Sequence, residues 1–276
     1  MNIAIILTCF NRKEKTLLCL SSLFNALPAC EVYLVDDAST DGTPEAIKDI
    51  FPQVNIINGT GNLYWSRGMY TAWKEALKNK YDYYLWLNDD LELYPDFFEE
   101  LMQCYKWGKG NCIISGMVEN LDRTMVIYGG SDICRKKIQP SSQPQEITYM
   151  NGNVVLISQS IVDKIGIIDP FYHHSIGDVD YGFTAKKAGI KVLTTTRPIA
   201  MGCDNSFCRE RKWDTTLTKR FKFLYSPLGS NPTIIFHFKK KHFGIINATI
   251  YWLFLHVINV FPDFFVEKIW GDTYKD

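Results

Sequence analysis

The chain has 276 residues, of which 46% are hydrophobic, so it can bury a sizeable core as one large domain or as a domain with an appendage. Its 30 basic and 30 acidic residues cancel, which argues against a protein that binds nucleic acid through bulk charge. Eight cysteines occur without a Cys-x-x-Cys pair, which favours free thiols in a reducing compartment over a zinc site. We expect Cys203 and Cys208 to be packing residues.

The first 110 residues alternate strand-like and helix-like segments. Apolar runs at 3–7, 32–35 and 54–57 predict strands, and apolar residues at helical spacing follow the first two. Thr43 and Pro44 predict the N-cap and the first turn of the second helix. This alternation predicts a parallel, doubly wound sheet. The run at 3–7 lacks the basic residues that precede a secretory signal, so we expect a cytoplasmic protein.

Two adjacent carboxylates follow an apolar run at 83–87 that has the length and aromatic content of a buried strand. Because ligands of open α/β sheets bind beyond the carboxyl ends of the strands, Asp89 and Asp90 are candidates for holding a hard divalent cation that carries phosphates. Acids at a strand end also commonly cap the next helix or face water. A metal role for this pair therefore needs support from the rest of the chain.

Further charged residues stand at similar positions. Asp36 and Asp37 end the second predicted strand. Arg67 lies in the first turn of a predicted helix, where its guanidinium and the helix N-terminus both suit phosphates, although a solvated arginine is the simpler interpretation. Asp178 and Asp180 lie at the beginning of another predicted helix, where a carboxylate is also favoured as a cap alone.

Four segments carry a family resemblance when they are taken in order: Thr8-Cys9-Phe10-Asn11-Arg12, Val35 to Thr43, Asn88-Asp89-Asp90 and Gly177-Asp178-Val179-Asp180. Together they resemble the family 2 glycosyltransferases of the GT-A (nucleotide-diphospho-sugar transferase) fold over residues 1–205. The resemblance implies an α/β fold, a mostly parallel sheet flanked by helices. We expect a nucleotide-sugar-binding half at 1–110, an acceptor-binding and catalytic half of the same domain at 111–205, and a helical C-terminal extension at 206–276.

The resemblance also implies roles for single residues. Asp178 matches the catalytic base, with Asp180 as its nearby rival, and Asp90 would hold Mg²⁺ or Mn²⁺ against the donor diphosphate. Thr8 and Asp37 would contact the nucleobase of the donor, and Asp89 would lie near the ribose or the waters of the metal. Asn11 and Arg67 are further candidates for donor binding. Two departures are visible. Gly177 replaces the usual acid before the base, and the stretch 200–206 lacks the histidine that often contacts the metal, so Asp204 or water would substitute.

Acceptor binding is expected from segments that resemble bacterial enzymes of surface-polysaccharide synthesis, including rhamnosyl- and galactofuranosyltransferase-like proteins. The candidate acceptor residues are Trp65, Asn151, Asn153, His173, His174 and Asp180. Structural roles compete with this interpretation, since a tryptophan near a pocket often fills the core and a lone histidine there is often structural.

The chemistry of glycosyl transfer fits these residue types. A divalent ion neutralises the departing diphosphate of a UDP- or dTDP-sugar, and one carboxylate takes the proton of the acceptor hydroxyl. A single base opposite the leaving group predicts inversion, whereas a retaining glycosidase needs two carboxylates flanking the sugar. A sugar-1-phosphate nucleotidyltransferase would need a glycine-rich loop, which 8–12 lacks. A non-catalytic nucleotide-sugar-binding protein is the other alternative.

The C-terminal region carries a cluster of basic residues before an apolar run at 245–265. At about 18 residues its uncharged part is at the lower limit for spanning a bilayer, and the flanking bases favour a helix lying in the membrane interface. The alternative is a helix packed on the catalytic domain or on a partner in a homodimer. We therefore expect a peripheral location on the inner face of the cell membrane. Such a location suits the expected acceptor, a glycan or a lipid-linked glycan.

Overall fold

The computed structural model describes residues 1–204 and 210–271 and contains two units. The sheet unit comprises residues 1–170 and 177–204, and the helical unit comprises residues 171–176 and the chain from 205 onwards. Cys208 and Arg209 lie outside the described residues.

A nine-stranded sheet forms the centre of the sheet unit. Its strands are β1 Ile3–Cys9, β2 Glu31–Asp36, β3 Asn55–Asn58, β4 Tyr83–Asn88, β5 Leu91–Leu93, β6 Cys112–Asn120, β7 Val126–Tyr128, β8 Val154–Ser158 and β9 Lys191–Gly202. Its helices are α1 Lys13–Ala26, α2 Thr43–Ile50, α3 Tyr64–Ala76, α4 Phe97–Trp107, α5 Gln159–Ile165 and α6 Gly177–Lys187. The strand order is β3-β2-β1-β4-β8-β6-β9-β5, with β7 beside β6.

The strand directions bring several chain segments to one edge of the sheet. β3, β2, β1 and β4 run parallel, and Thr8 is in register with both Val35 and Asn88. β8 runs antiparallel to β4, so β8 begins where β4 ends, and the Asn88 amide donates to the Asn153 carbonyl over 2.9 Å. The sheet is therefore mixed, with parallel pairing in its first four strands and between β6 and β9.

The sheet is buried on both faces because alternate residues of each strand point to opposite sides. In β1, Ile5 and Leu7 belong to one apolar cluster with side chains of α1, α2 and α4. Ile6 belongs to a second cluster with side chains of α3, α5 and α6, including Trp73 and Tyr181. Because helices pack on both faces, the strand ends that meet at one edge of the sheet are held in fixed positions.

Two local predictions are wrong. Thr43 is not the N-cap of α2: Gly42, at a φ of 81°, occupies that position, and the Asp41 side chain accepts the Thr43 amide over 3.1 Å. A carboxylate that bonds the backbone two residues on forms a turn that a hydroxyl forms more weakly, and here it precedes the helix. Cys203 is exposed, because it follows the end of β9. The seven cysteines within the described ranges are all free thiols.

The helical unit contains α7 Leu217–Leu224, α8 Pro232–Val260 and α9 Asp263–Trp270. Gly244 interrupts α8 with non-helical angles, φ 86° and ψ 166°, so two helical segments meet there. In the described part of the chain, α8 is the one helix that is long and apolar enough to cross a membrane.

Candidate active site

Arg12 lies between the two carboxylates that follow β4. Its Nη1 donates to Oδ1 of Asp89 over 3.2 Å and to Oδ2 of Asp90 over 2.8 Å. Both carboxylate side chains are nearly buried, whereas Arg12 is partly exposed. Burial raises the pKa of Asp89 to about 7, although the Arg12 charge opposes this rise. The end of β4 therefore presents hard oxygen ligands beside one fixed positive charge.

Asp37 organises the loop that leads into α3. Its Oδ1 accepts the Gly61 amide over 2.7 Å, and its Oδ2 accepts the amides of Leu63 and Tyr64 over 2.8 and 3.0 Å. Tyr64 has a positive φ of 57°, which a non-glycine residue rarely adopts. The side chain predicted to contact the nucleobase thus fixes the backbone beside it.

Thr8 and Asn11 connect the loops at this edge of the sheet. The Thr8 hydroxyl donates to the Val35 carbonyl over 3.2 Å, and a Cβ at Gly68 would lie 2.3 Å from its Oγ1. Glycine at that position therefore lets α3 approach β1. Oδ1 of Asn11 accepts the Thr40 amide over 2.7 Å. The loops after β1 and β2 are thereby held together.

Asp178 lies in the first turn of α6 and is half-buried. Its Oδ2 accepts the Gly152 amide over 2.9 Å, and its Oδ1 accepts the Val179 amide over 2.8 Å. Burial raises the pKa of Asp178, and these backbone donors oppose the rise. A carboxylate with an elevated pKa in a fixed orientation is suited to accept a proton.

Trp65 and Gly152 connect Asp178 to the end of β4. Trp65 donates from Nε1 to Oδ1 of Asn88 over 2.8 Å. A Cβ at Gly152 would lie 2.4 Å from Cη2 of Trp65 and 3.1 Å from Cβ of Asp178. Only glycine fits there without displacing one of these side chains. Asn88, Trp65, Gly152 and Asp178 therefore form one continuous series of contacts.

The other candidate residues of the sheet unit are buried or form hydrogen bonds with the backbone. Oδ1 of Asn151 accepts the amides of Gly129 and Gly130, which fixes a turn. Asn153 is buried, and Asp180 is only 2% exposed. Arg67 donates from Nε to the Pro170 carbonyl over 3.1 Å, which orients its guanidinium.

His173 and His174 belong to the helical unit and are half-buried.

Among the residues that the structure describes, Asp204 does not belong to a group of metal ligands. It forms an ion pair with Lys137, with 3.8 Å between Oδ2 and Nζ. Across residues 1–204 and 210–271, no three His, Cys, Asp or Glu side chains form a metal-ligating group, so Asp204 does not complete one with Asp89 and Asp90. Two carboxylates still fit Mg²⁺ or Mn²⁺, because such ions commonly take one or two carboxylates and complete their coordination with substrate phosphates and water.

Sequence reasoning missed the ion pairs of Arg12 and the close contact at Gly152. Arg12 follows a strand whose neighbours end in acids, and that position is a signal for pairing. Gly152 has no comparable signal, because its significance depends on side chains far away along the chain.

The family described as Glycosyl transferase family 2 matches residues 4–166. S. aureus TarS 1-349 in complex with UDP is similar at 14% identity and a TM-score of 0.55, covering 73% of this chain and 60% of that one. The mannosyltransferase PcManGT from Pyrobaculum calidifontis in complex with GDP-Man and Mn²⁺ is similar at 14% identity and a TM-score of 0.58, covering 94% of this chain and 70% of that one.

The chain spans 46% of the length of a longer S. aureus TarS structure, at 12% identity and a TM-score of 0.58. At such identities the likeness concerns the fold, and it confirms the expected GT-A type of sheet, flanked by helices and followed by a helical segment. No curated protein matches the chain.

Proposed function

Because the chain belongs to glycosyl transferase family 2, we propose that it is an inverting enzyme that moves a sugar from a nucleotide diphosphate donor to a glycan or lipid-linked glycan in bacterial capsule or O-antigen synthesis. The observation that carries this proposal is the series of contacts from Asn88 through Trp65 and Gly152 to Asp178. It connects the carboxylate pair at the end of β4 with a carboxylate of raised pKa.

The donor is bound by the edge at which β1, β2 and β4 end. Thr8, Asn11 and Asp37 shape the loops proposed to receive the nucleobase. Arg67, whose guanidinium is oriented by its bond to the Pro170 carbonyl, is the proposed phosphate contact. Asp90, with Asp89 beside it, holds Mg²⁺ or Mn²⁺, which neutralises charge on the departing diphosphate. UDP- and dTDP-sugars are the proposed donors. The TarS and PcManGT structures hold UDP and GDP-Man respectively, so GDP-sugars belong in the test.

Asp178 removes the proton of the acceptor hydroxyl as it attacks the anomeric carbon. Its raised pKa makes it a stronger base than an exposed aspartate, and the amides of Gly152 and Val179 hold its orientation. Its rival Asp180 is buried, which supports Asp178 as the proposed base. One base opposite the leaving group supports in-line displacement and inversion.

The acceptor side is built around Trp65, whose ring packs against Gly152 beside the base. An aromatic face suits the apolar face of a sugar ring. Asn151, Asn153, His173 and His174 remain proposed acceptor contacts, and a rhamnosyl- or galactofuranosyl-type transfer remains the proposed subtype. A lipid-linked acceptor would place the protein in the cytoplasm at the inner face of the cell membrane.

Turnover tests this function. Purified protein is given UDP-, dTDP- and GDP-sugars with a glycan-lipid extract, with and without Mg²⁺ or Mn²⁺, and release of nucleoside diphosphate is measured. Metal-dependent release of one nucleotide that is lost in Asp90→Ala and Asp178→Asn is expected. If a donor binds tightly but never turns over, the protein is a non-catalytic nucleotide-sugar-binding protein instead. If it releases pyrophosphate from a nucleoside triphosphate and a sugar phosphate, it is a nucleotidyltransferase.

A further inference from the structure

An exposed apolar stripe runs along the second segment of α8. It consists of Ile246, Ile250, Leu253, Val257 and Val260, which are between 44% and 75% exposed. Spacings of four, three, four and three residues place all five on one side of the helix. Phe264 and Ile269 on α9 are exposed as well. A row of large apolar side chains of this length is uncommon on the surface of a soluble protein and marks an interaction surface.

The opposite side of the same helix is fixed within the helical unit. Ala248, Leu255 and Ile258 are fully buried there. Asn259 donates from Nδ2 to the Glu210 carbonyl over 2.8 Å, and Arg220 donates from Nη1 to the Asn259 carbonyl over 3.1 Å. Because these bonds hold the buried side inward, the helix cannot rotate to cover the stripe.

The end of α8 is held by two further contacts. Arg211 is buried and donates from Nη2 to the Phe261 carbonyl over 2.9 Å, and Arg220 pairs with Asp263 at 2.9 Å. Inserting α8 across a bilayer would require breaking these bonds and moving buried guanidinium groups into hydrocarbon, which is costly. The helix is therefore suited to lie beside a membrane rather than through it.

The length of the apolar segment leads to the same conclusion. After the break at Gly244, residues 245–260 extend about 24 Å at a rise of about 1.5 Å per residue, which is short of the roughly 30 Å hydrocarbon core. Lys239, Lys240 and Lys241 precede the break and prevent the apolar stretch from extending in that direction.

The charge between α7 and the end of α8 is basic. Between residues 215 and 262 the sequence contains no acidic residue and six basic ones: Lys219, Arg220, Lys222, Lys239, Lys240 and Lys241. Arg220 is buried and pairs with Asp263, so the remaining positive charges are those of the five lysines. Nζ of Lys239 lies 4.3 Å from the centre of the Tyr251 ring, so the lysine run is adjacent to the second segment of α8. Because the whole chain has 30 acidic and 30 basic residues, the rest of the sequence contains 24 basic and 30 acidic ones, so positive charge is concentrated in this stretch.

We propose that the apolar stripe and the lysine run form a docking surface for an anionic lipid bilayer, with the second segment of α8 lying in the plane of the interface. The apolar side chains enter the headgroup boundary while the lysines contact lipid phosphates. This surface uses no residue of the candidate active site, so a variant can lose membrane binding without losing glycosyl transfer.

Cosedimentation of the full chain with vesicles tests the surface. Binding is expected on vesicles of phosphatidylcholine with phosphatidylglycerol, at least about tenfold weaker on phosphatidylcholine alone, and weaker in high salt. Ile250→Gln with Leu253→Gln should reduce binding by about tenfold or more. Lys239→Gln with Lys240→Gln and Lys241→Gln should abolish the preference for anionic lipid. If one of these two variants fails to fold, the other still tests the docking surface.

The matched control replaces two equally exposed apolar residues of the sheet unit, Leu18→Gln with Ile50→Gln, which are 53% and 54% exposed. This variant should bind vesicles as the parent chain does. Three results would overturn the docking surface. One is equal binding by the stripe variant and the control, and another is resistance of membrane-bound protein to alkaline carbonate, which indicates a span. The third is a dimer in solution that the stripe variant converts to monomer while lipid binding is absent.

Discussion

The Arg12 guanidinium donates to Oδ2 of Asp90 over 2.8 Å, so a cation of the chain itself occupies the carboxylate that is proposed to hold the metal. The same Nη1 also contacts Asp89. A positive charge at this distance repels a divalent ion and must move away or be outweighed when the metal binds with the donor. We therefore expect the metal and the nucleotide to bind cooperatively.

Removing that charge should strengthen metal binding in the absence of donor. Arg12→Gln is expected to bind Mn²⁺ about tenfold more tightly than the parent chain, as measured by calorimetry without nucleotide. Lys13→Gln is the control, because Lys13 is adjacent but pairs with Glu14. Unchanged Mn²⁺ affinity in Arg12→Gln, or an equal gain in the control, would contradict the competition.

A methyl group at Gly152 should damage catalysis more than folding. In Gly152→Ala the new Cβ would lie 2.4 Å from the Trp65 ring, so Trp65 or Asp178 must shift. Because a displacement of about 1 Å can cost about 100-fold in rate, we expect kcat to fall by roughly that factor while the protein stays folded. Steady-state kinetics and a thermal melt measure both.

A second substitution tests the cause of that loss. Trp65→Phe removes the ring atoms that the new methyl group would meet. The double variant should therefore recover part of the kcat that Gly152→Ala loses, relative to Trp65→Phe alone. Losses that simply multiply would show that the contact between Trp65 and Gly152 does not position the base.

The pH dependence of the reaction should report the environment of Asp178. Burial raises the pKa of this carboxyl above the ordinary value of about 4, so the base is protonated over a wider acidic range. We expect kcat/KM for the acceptor, at saturating metal and donor, to rise with pH through a midpoint above that value. A midpoint at or below about 4 would exclude Asp178 in this environment as the base.

Asp89 should destabilise the metal-free protein at alkaline pH. Its pKa is about 7 in the folded chain and about 4 when unfolded, so its contribution to stability is present below pH 4 and is lost as the pH rises through 7. Relative to the parent chain, Asp89→Asn should therefore gain on the order of 2 kcal/mol in free energy of unfolding between pH 5 and pH 8.5. Urea unfolding in the presence of a chelator measures this change.

Asp41 provides a control of opposite sign. Its bond with the Thr43 hydroxyl, together with backbone donors, lowers its pKa, so the stability it provides is present above pH 4 and is lost only as the pH falls through that lowered value. Asp41→Asn should be less stable than the parent chain by the same amount at pH 5 and pH 8.5. If the stability of Asp41→Asn relative to the parent chain also rose between pH 5 and pH 8.5, a group other than Asp89 would be responsible for the change.

The strands and their alternation with helices could be predicted because short apolar runs and helical spacing are local properties. The acids at the ends of β2 and β4 could be predicted to lie at one edge of the sheet, because parallel strands end at the same edge. The contacts that assemble the site were less accessible. Asp37 was expected to contact a ligand, but its carboxylate accepts three amides from a loop more than twenty residues away, and no local pattern encodes that pairing.

The position of β8 between β4 and β6 has a consequence during synthesis of the chain. β4 is complete at Asn88, but its antiparallel neighbour begins at Val154. At about 5–20 residues per second, the ribosome needs roughly 3–13 seconds to add the intervening chain. Throughout that interval the aromatic strand β4 has an unpaired edge, to which strands of other nascent chains can bind. A chaperone that binds in this interval would benefit this chain more than a chain in which neighbouring strands of the sheet are consecutive in sequence.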